Sequence, residues 1–111
     1  MVSFKGIGQW CATFMGAQLQ EGSVVKVSAS GEAAACANGE AFIGAVICTD
    51  GEAATVQLGG FAEVSYSGTA PALGYTSLVA DGKGGVQAGE NGEKHWVVDK
   101  DETAQRVMIL L

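Results

Sequence analysis

Short apolar runs separated by glycine-centred dipeptides organise this chain. The dipeptides are Ser30-Gly31, Asn38-Gly39, Asp50-Gly51, Gly59-Gly60, Ser67-Gly68, Asp81-Gly82 and Asn91-Gly92. Successive starts lie 8, 12, 9, 8, 14 and 10 residues apart, near the spacing of roughly 8 to 12 residues for short strands joined by hairpins. Asn-Gly, Asp-Gly and Gly-Gly tolerate the positive φ of primed turns, whose twist matches that of paired strands. The pattern predicts a meander.

The runs between the turns are Val24–Val27, Ala41–Cys48, Thr55–Leu58, Phe61–Tyr66, Tyr75–Val79, His95–Val98 and Arg106–Leu111. In Thr55-Val56-Gln57-Leu58 and Glu63-Val64-Ser65-Tyr66 apolar and polar positions alternate, which predicts strands with one buried and one wet face. Ala41–Cys48 is apolar on both faces, as in a strand covered from two sides, and that requires two layers. The closing run Arg106–Leu111 is expected to pair inside a sheet, because an unpaired apolar edge invites aggregation.

Helical signals are thin. Cys11, Met15 and Leu19 recur every four residues, but Gly16 interrupts them and no capping residue precedes Trp10. The segment 1–20 is therefore read as an extended N-terminal arm and first strand, and 21–111 as a single β-domain. Asp99–Gln105 is expected to form one helical turn or a wide polar loop. Gly-Glu-Ala recurs at Gly31, Gly39 and Gly51 without a fixed period, so similar turns explain it better than a solenoid.

Length and composition narrow the class. With 111 residues there is room for one domain. Apolar residues make up 48 % and charged residues only 16 %, which argues against disorder. Glycine, 17 of 111, is about twice its usual frequency and follows no collagen period. The reading is all-β, a small single-domain β-barrel. Twelve Asp and Glu against six scattered Lys and Arg give a net charge of −6; that offers no basic stripe for phosphates, so no nucleic-acid partner is expected. Nor is a membrane partner, since the longest apolar run falls far short of the roughly 20 residues that span a bilayer. The start Met1–Gly6 has no apolar core of a signal peptide, so none is expected.

Candidate chemistry is sparse. Cys11, Cys36 and Cys48 are odd in number and lack metal-ligand spacing, so they are expected to be reduced, mostly buried thiols binding no metal. His95 is the single histidine and is expected to be a surface or half-buried strand residue. Asp81-Gly82-Lys83-Gly84-Gly85 fits neither a calcium loop nor a phosphate loop and reads as a hairpin tip. No catalytic residue, cofactor site or enzyme activity is expected. The unusual feature is apolar material near the start: Val2, Phe4, Ile7, Trp10, Phe14 and Met15. Such side chains suit either packing as cover for the core or an arm that adds a strand to a neighbour, with aromatic anchors filling pockets. They are the candidates for an interface.

Several ordered elements resemble a known family. They are Glu21-Gly22-Ser23-Val24-Val25-Lys26-Val27, Phe42-Ile43-Gly44-Ala45-Val46, Ala54-Thr55-Val56-Gln57-Leu58-Gly59-Gly60-Phe61, Tyr75-Thr76-Ser77-Leu78-Val79-Ala80-Asp81, and a closing apolar strand. In this order they resemble the small capsid decoration, or cement, proteins of tailed bacteriophages and prophages, over about residues 20 to 111. The resemblance implies a β-barrel or β-tulip-like fold without catalysis, made in the host bacterial cytoplasm. It further implies self-association, commonly as a homotrimer, and binding to the major capsid protein on the outside of an assembled virion shell. A cement protein gains strength from many weak contacts repeated on a lattice. From a different class, the alternative is a monomeric small β-barrel module that holds a peptide, sugar or apolar ligand at its mouth.

Overall fold

The computed structural model describes residues 10–16 and 18–111. Ten strands and no helix occur among them. They are β1 (Trp10–Met15), β2 (Val24–Ala29), β3 (Glu32–Ala35), β4 (Gly44–Asp50), β5 (Ala53–Gly59), β6 (Phe61–Ser65), β7 (Gly74–Ala80), β8 (Val86–Ala88), β9 (Glu93–Asp101) and β10 (Arg106–Leu110). Six of the seven glycines that close the predicted turn dipeptides, all but Gly92, take a positive φ, the conformation that glycine adopts without steric cost.

The strands form a closed five-stranded barrel in the order β1-β3-β2-β4-β5 and a second sheet in the order β6-β10-β9-β7-β8. The fold is thus all-β, as the turn spacing implied, and it contains a closed barrel, as the resemblance implied. Four hairpins join consecutive strands: β2–β3, β4–β5, β7–β8 and β9–β10. Elsewhere the order departs from a simple meander, because β1 lies between β5 and β3, and β10 between β6 and β9. Trp10–Met15 is therefore the strand that closes the barrel, antiparallel to β5 along its length and joined to β3 at the parallel pair Met15–Glu32. At the far side, a parallel bridge from Tyr66 to Val86 draws the ends of the second sheet together and curls it.

Two cores result. The barrel interior holds Val25, Ala33, Val46, Ala54 and Val56, with Phe14, Leu19 and Leu58 packed against them. Between barrel and second sheet lies a larger core that includes Val24, Phe42, Ala45, Val64, Tyr66, Leu78, Val97, Val107 and Ile109. Val24 and Val25 are neighbours in β2, as Ala45 and Val46 are in β4, and strand alternation sends one of each pair into each core. Two-sided burial, expected of the whole apolar run Ala41–Cys48, holds only over Gly44–Val46, since Ala41 and Ile43 are exposed. It stops at Val46: a bulge between Val46 and Cys48 shifts the register, and Ile47 and Cys48 are exposed. The expectation of mostly buried thiols needs the same correction, since Cys11 and Cys48 are exposed and Cys36 alone is buried. Asp99–Gln105 forms no helical turn; it is the end of β9 and the polar turn into β10.

Candidate functional site

The outer face of the second sheet carries the feature that the core does not explain. In β7 the core-facing residues are Leu78 and Ala80, so alternation turns Tyr75 and Ser77 outward. In β9 Val97 faces the core and Trp96 faces out. The register sets Tyr75 opposite Trp96, Trp96 opposite Leu110, and Leu110 opposite Phe61. Directly opposed residues share a face, so Tyr75, Trp96, Leu110 and Phe61 form one row across four strands. Tyr75 and Trp96 are 57 % and 51 % exposed, and Leu73, just ahead of β7, is 58 % exposed.

Two side chains of this row are in ring contact. The Tyr75 and Trp96 centroids are 5.3 Å apart with planes inclined by 31°, within the range of favourable aromatic pairs, worth roughly 0.5 to 1.5 kcal/mol beyond burial. Lys94, two residues before Trp96 and on the same face, holds its Nζ 5.4 Å from the Tyr75 centroid, a cation–π distance. The opposite end of the face is polar. There Arg106 Nε donates to Glu63 Oε1 at 2.9 Å, and Asp99 and Asp101 pair across from Met108 and Arg106. An exposed apolar patch rimmed by polar residues marks an interaction surface more often than chance exposure does.

The residues singled out as interface candidates are dispersed. Val2, Phe4 and Ile7 lie outside the described residues. Trp10, 63 % exposed, lies flat over Gly59, where an added Cβ would come within 2.7 Å of the indole; a side chain at Gly59 would displace it. Phe14 packs against the barrel core. Met15 is exposed at a barrel end, between the hairpin tips bearing Glu32 and Glu52. Sequence reading missed Tyr75 and Trp96. Their parity relative to Leu78 and Val97 was a usable signal for their exposure, but nothing local revealed that they pair.

A cleft of about 460 Å³ opens where the barrel meets the second sheet, lined among others by Lys26, Val27, Ile43, Leu58, His95 and Leu111. Its cation is engaged: Lys26 Nζ lies 2.8 Å from both Glu40 carboxylate oxygens. That hydrogen bond, with one from the Ala37 amide, holds the Glu40 carboxyl below its usual range. His95 is half-buried, stacked on Phe42 at 5.0 Å and 17°, and donates Nδ1–H to the Leu110 carbonyl at 3.1 Å. Nearby, burial first and the Glu40 charge second push the Cys36 thiol up, against a smaller opposing pull from Lys26.

The hairpin tip 81–85 is built around Asp81, only 4 % exposed. Its Oδ1 accepts from the Lys83 and Gly85 amides at 2.7 and 3.0 Å, and its Oδ2 from the Ser67 hydroxyl at 2.6 Å. Burial opposes ionisation, but these donors outweigh it and hold the carboxyl below its ordinary value. The carboxylate fastens the β7–β8 loop to the chain leaving β6, which is a structural role. Among the described residues no group of three or more His, Cys, Asp or Glu could hold a metal, and no helix is long and apolar enough to cross a membrane.

Compared with models of known protein families and with curated proteins, the chain matches neither.

Proposed function

We propose that this protein is a decoration protein that binds the outside of an assembled phage capsid and stabilises it, acting without catalysis and through the major capsid protein as partner. The row of Tyr75, Trp96, Leu110 and Phe61, with Tyr75 and Trp96 more than half exposed, is the observation that carries this reading. Trp and Tyr dominate binding hot spots, and a surface fixed by cross-strand pairing loses little side-chain entropy on docking. The order of the strand motifs between Glu21 and Leu111 supports the family assignment. Self-association as a homotrimer belongs to the same proposal, since several copies on one lattice point would multiply a modest contact.

The test is co-production with the capsid subunit of the same genome. Sedimentation of emptied, expanded shells should carry the protein down at a fixed ratio, and decorated shells should withstand higher temperature than bare ones. A genome without a capsid gene, or shells that leave the protein in the supernatant, overturns the reading. The alternative, a ligand-binding module, has the 460 Å³ cleft in its favour. The volume falls within the ~300 to 1,000 Å³ of ligand sites, but the Lys26 charge there is already satisfied by Glu40.

A further inference from the structure

We propose that Lys94, Tyr75 and Trp96 act as one recognition unit for a protein surface that presents a carboxylate beside an apolar contact. This deepens the capsid-binding reading and rests on it: the occupant is the outer surface of the shell subunit. Three facts support the choice.

The first is charge. The chain carries twelve acidic and six basic residues. Of the five basic residues described, Lys26, Lys100 and Arg106 form ion pairs with Glu40, Glu102 and Glu63, and Lys83 interacts electrostatically with the Asp81 carboxylate. Lys94 instead lies over the Tyr75 ring, a cation set within an apolar row. A partner carboxylate reaching Lys94 would be desolvated by the flanking rings, which strengthens the pair relative to one in open water.

The second is preorganisation. Lysine has several rotatable bonds, and fixing them costs binding energy. Its contact with Tyr75, itself packed on Trp96, holds the ammonium group in place before a partner arrives. The third is polarity along the face. Lys94 stands at the aromatic end, while Asp99 and Asp101 lie along the remainder, where Glu63 is already paired with Arg106. An acidic contact is attracted at one end and repelled at the other, which fixes the orientation of docking as well as its strength.

The experiment measures binding to shells of the same capsid subunit for the wild type and for Trp96→Ala, Lys94→Glu and Lys94→Arg, each checked by circular dichroism and light scattering. Trp96→Ala and Lys94→Glu are expected to weaken binding by about tenfold or more. Lys94→Arg, which keeps both charge and stacking, should stay within about threefold. The salt dependence of Lys94→Glu should be weaker than that of the wild type. Should Trp96→Ala unfold, Lys94→Glu, at an exposed position, decides alone. Equal binding by all variants overturns the recognition unit and leaves capsid binding standing, whereas a wild type that does not bind overturns both. Two copies could also meet face to face with Lys94 against Asp99 of the other; variants that lower the oligomeric state without changing affinity per protomer would assign the row to self-association and overturn the proposal.

Discussion

The two cores are filled in different ways. Inside the barrel the fully buried residues are Val25, Ala33, Val46, Ala54 and Val56, none larger than valine, while the larger Phe14, Leu19 and Leu58 pack against them only partly buried. Between barrel and second sheet the buried residues include Leu78, Ile109, Phe42 and Tyr66. A barrel of eight strands has an interior just wide enough to be filled by side chains; five strands leave less, so the fully buried positions take small residues and the larger side chains stay partly exposed. The second core is bounded by two curved layers and takes its width from the residues that fill it. The barrel is therefore limited by what cannot be added, and the second core by what cannot be removed.

That contrast can be broken by paired substitutions. Leu78→Ala in the second core should cost about 2 to 5 kcal/mol in urea unfolding, as for other truncations of fully buried leucines. The same truncation of volume is not available in the barrel, but Ala54→Leu there should cost about 1 to 3 kcal/mol through overpacking. If Ala54→Leu is neutral, the barrel holds space that its side chains do not fill, and the comparison fails.

A smaller effect tests how the second sheet is closed. Asp81→Asn keeps an acceptor for the Lys83 and Gly85 amides but replaces the carboxylate oxygen that receives the Ser67 hydroxyl. A loss of about 1 kcal/mol near neutral pH is expected, the usual net worth of one such bond. The folded carboxyl titrates below its unfolded value, so its stabilisation is present above about pH 3.9 and fades as pH falls through the lower folded value. Wild type and Asp81→Asn should converge in strong acid; a gap that persists there excludes the carboxylate as its cause.

The smallest perturbation uses the cysteines as reporters. In the native protein Cys11 and Cys48, exposed on β1 and β4, should react rapidly with a thiol reagent. Cys36, buried and less ionised, should react only on unfolding, because the thiolate is the reactive form. Three fast thiols would show that the second core opens readily beside the barrel.

Much of this architecture could be read from the sequence because its signals are local. Ser30-Gly31 and Asp50-Gly51 gave two barrel hairpins, since the backbone at Gly31 and Gly51 has φ of 73° and 63°. The runs at Thr55, Phe61, Tyr75 and Arg106 became β5, β6, β7 and β10. Glu32–Ala35 and Val86–Ala88 escaped notice because an alanine run has no alternation to read and three residues are too few. The exposed thiol of Cys48 was misread because a bulge, invisible in the sequence, changed the facing of an apolar run. The aromatic row was hidden for a different reason. Tyr75, Trp96 and Leu110 are brought abreast by pairing across β7, β9 and β10, and strand order is a property of the whole chain.

The alternation at Val24 and Val25, one side chain in each core, has a mechanical meaning. A force applied at Trp96 passes through Val97 into the second core, and from there through Val24 and Ala45 into the wall of the barrel itself. The two layers are coupled, because β2 and β4 of the barrel send side chains into both cores. Loaded at that face, such a molecule would behave as one stiff rivet and not as two plates joined by a hinge.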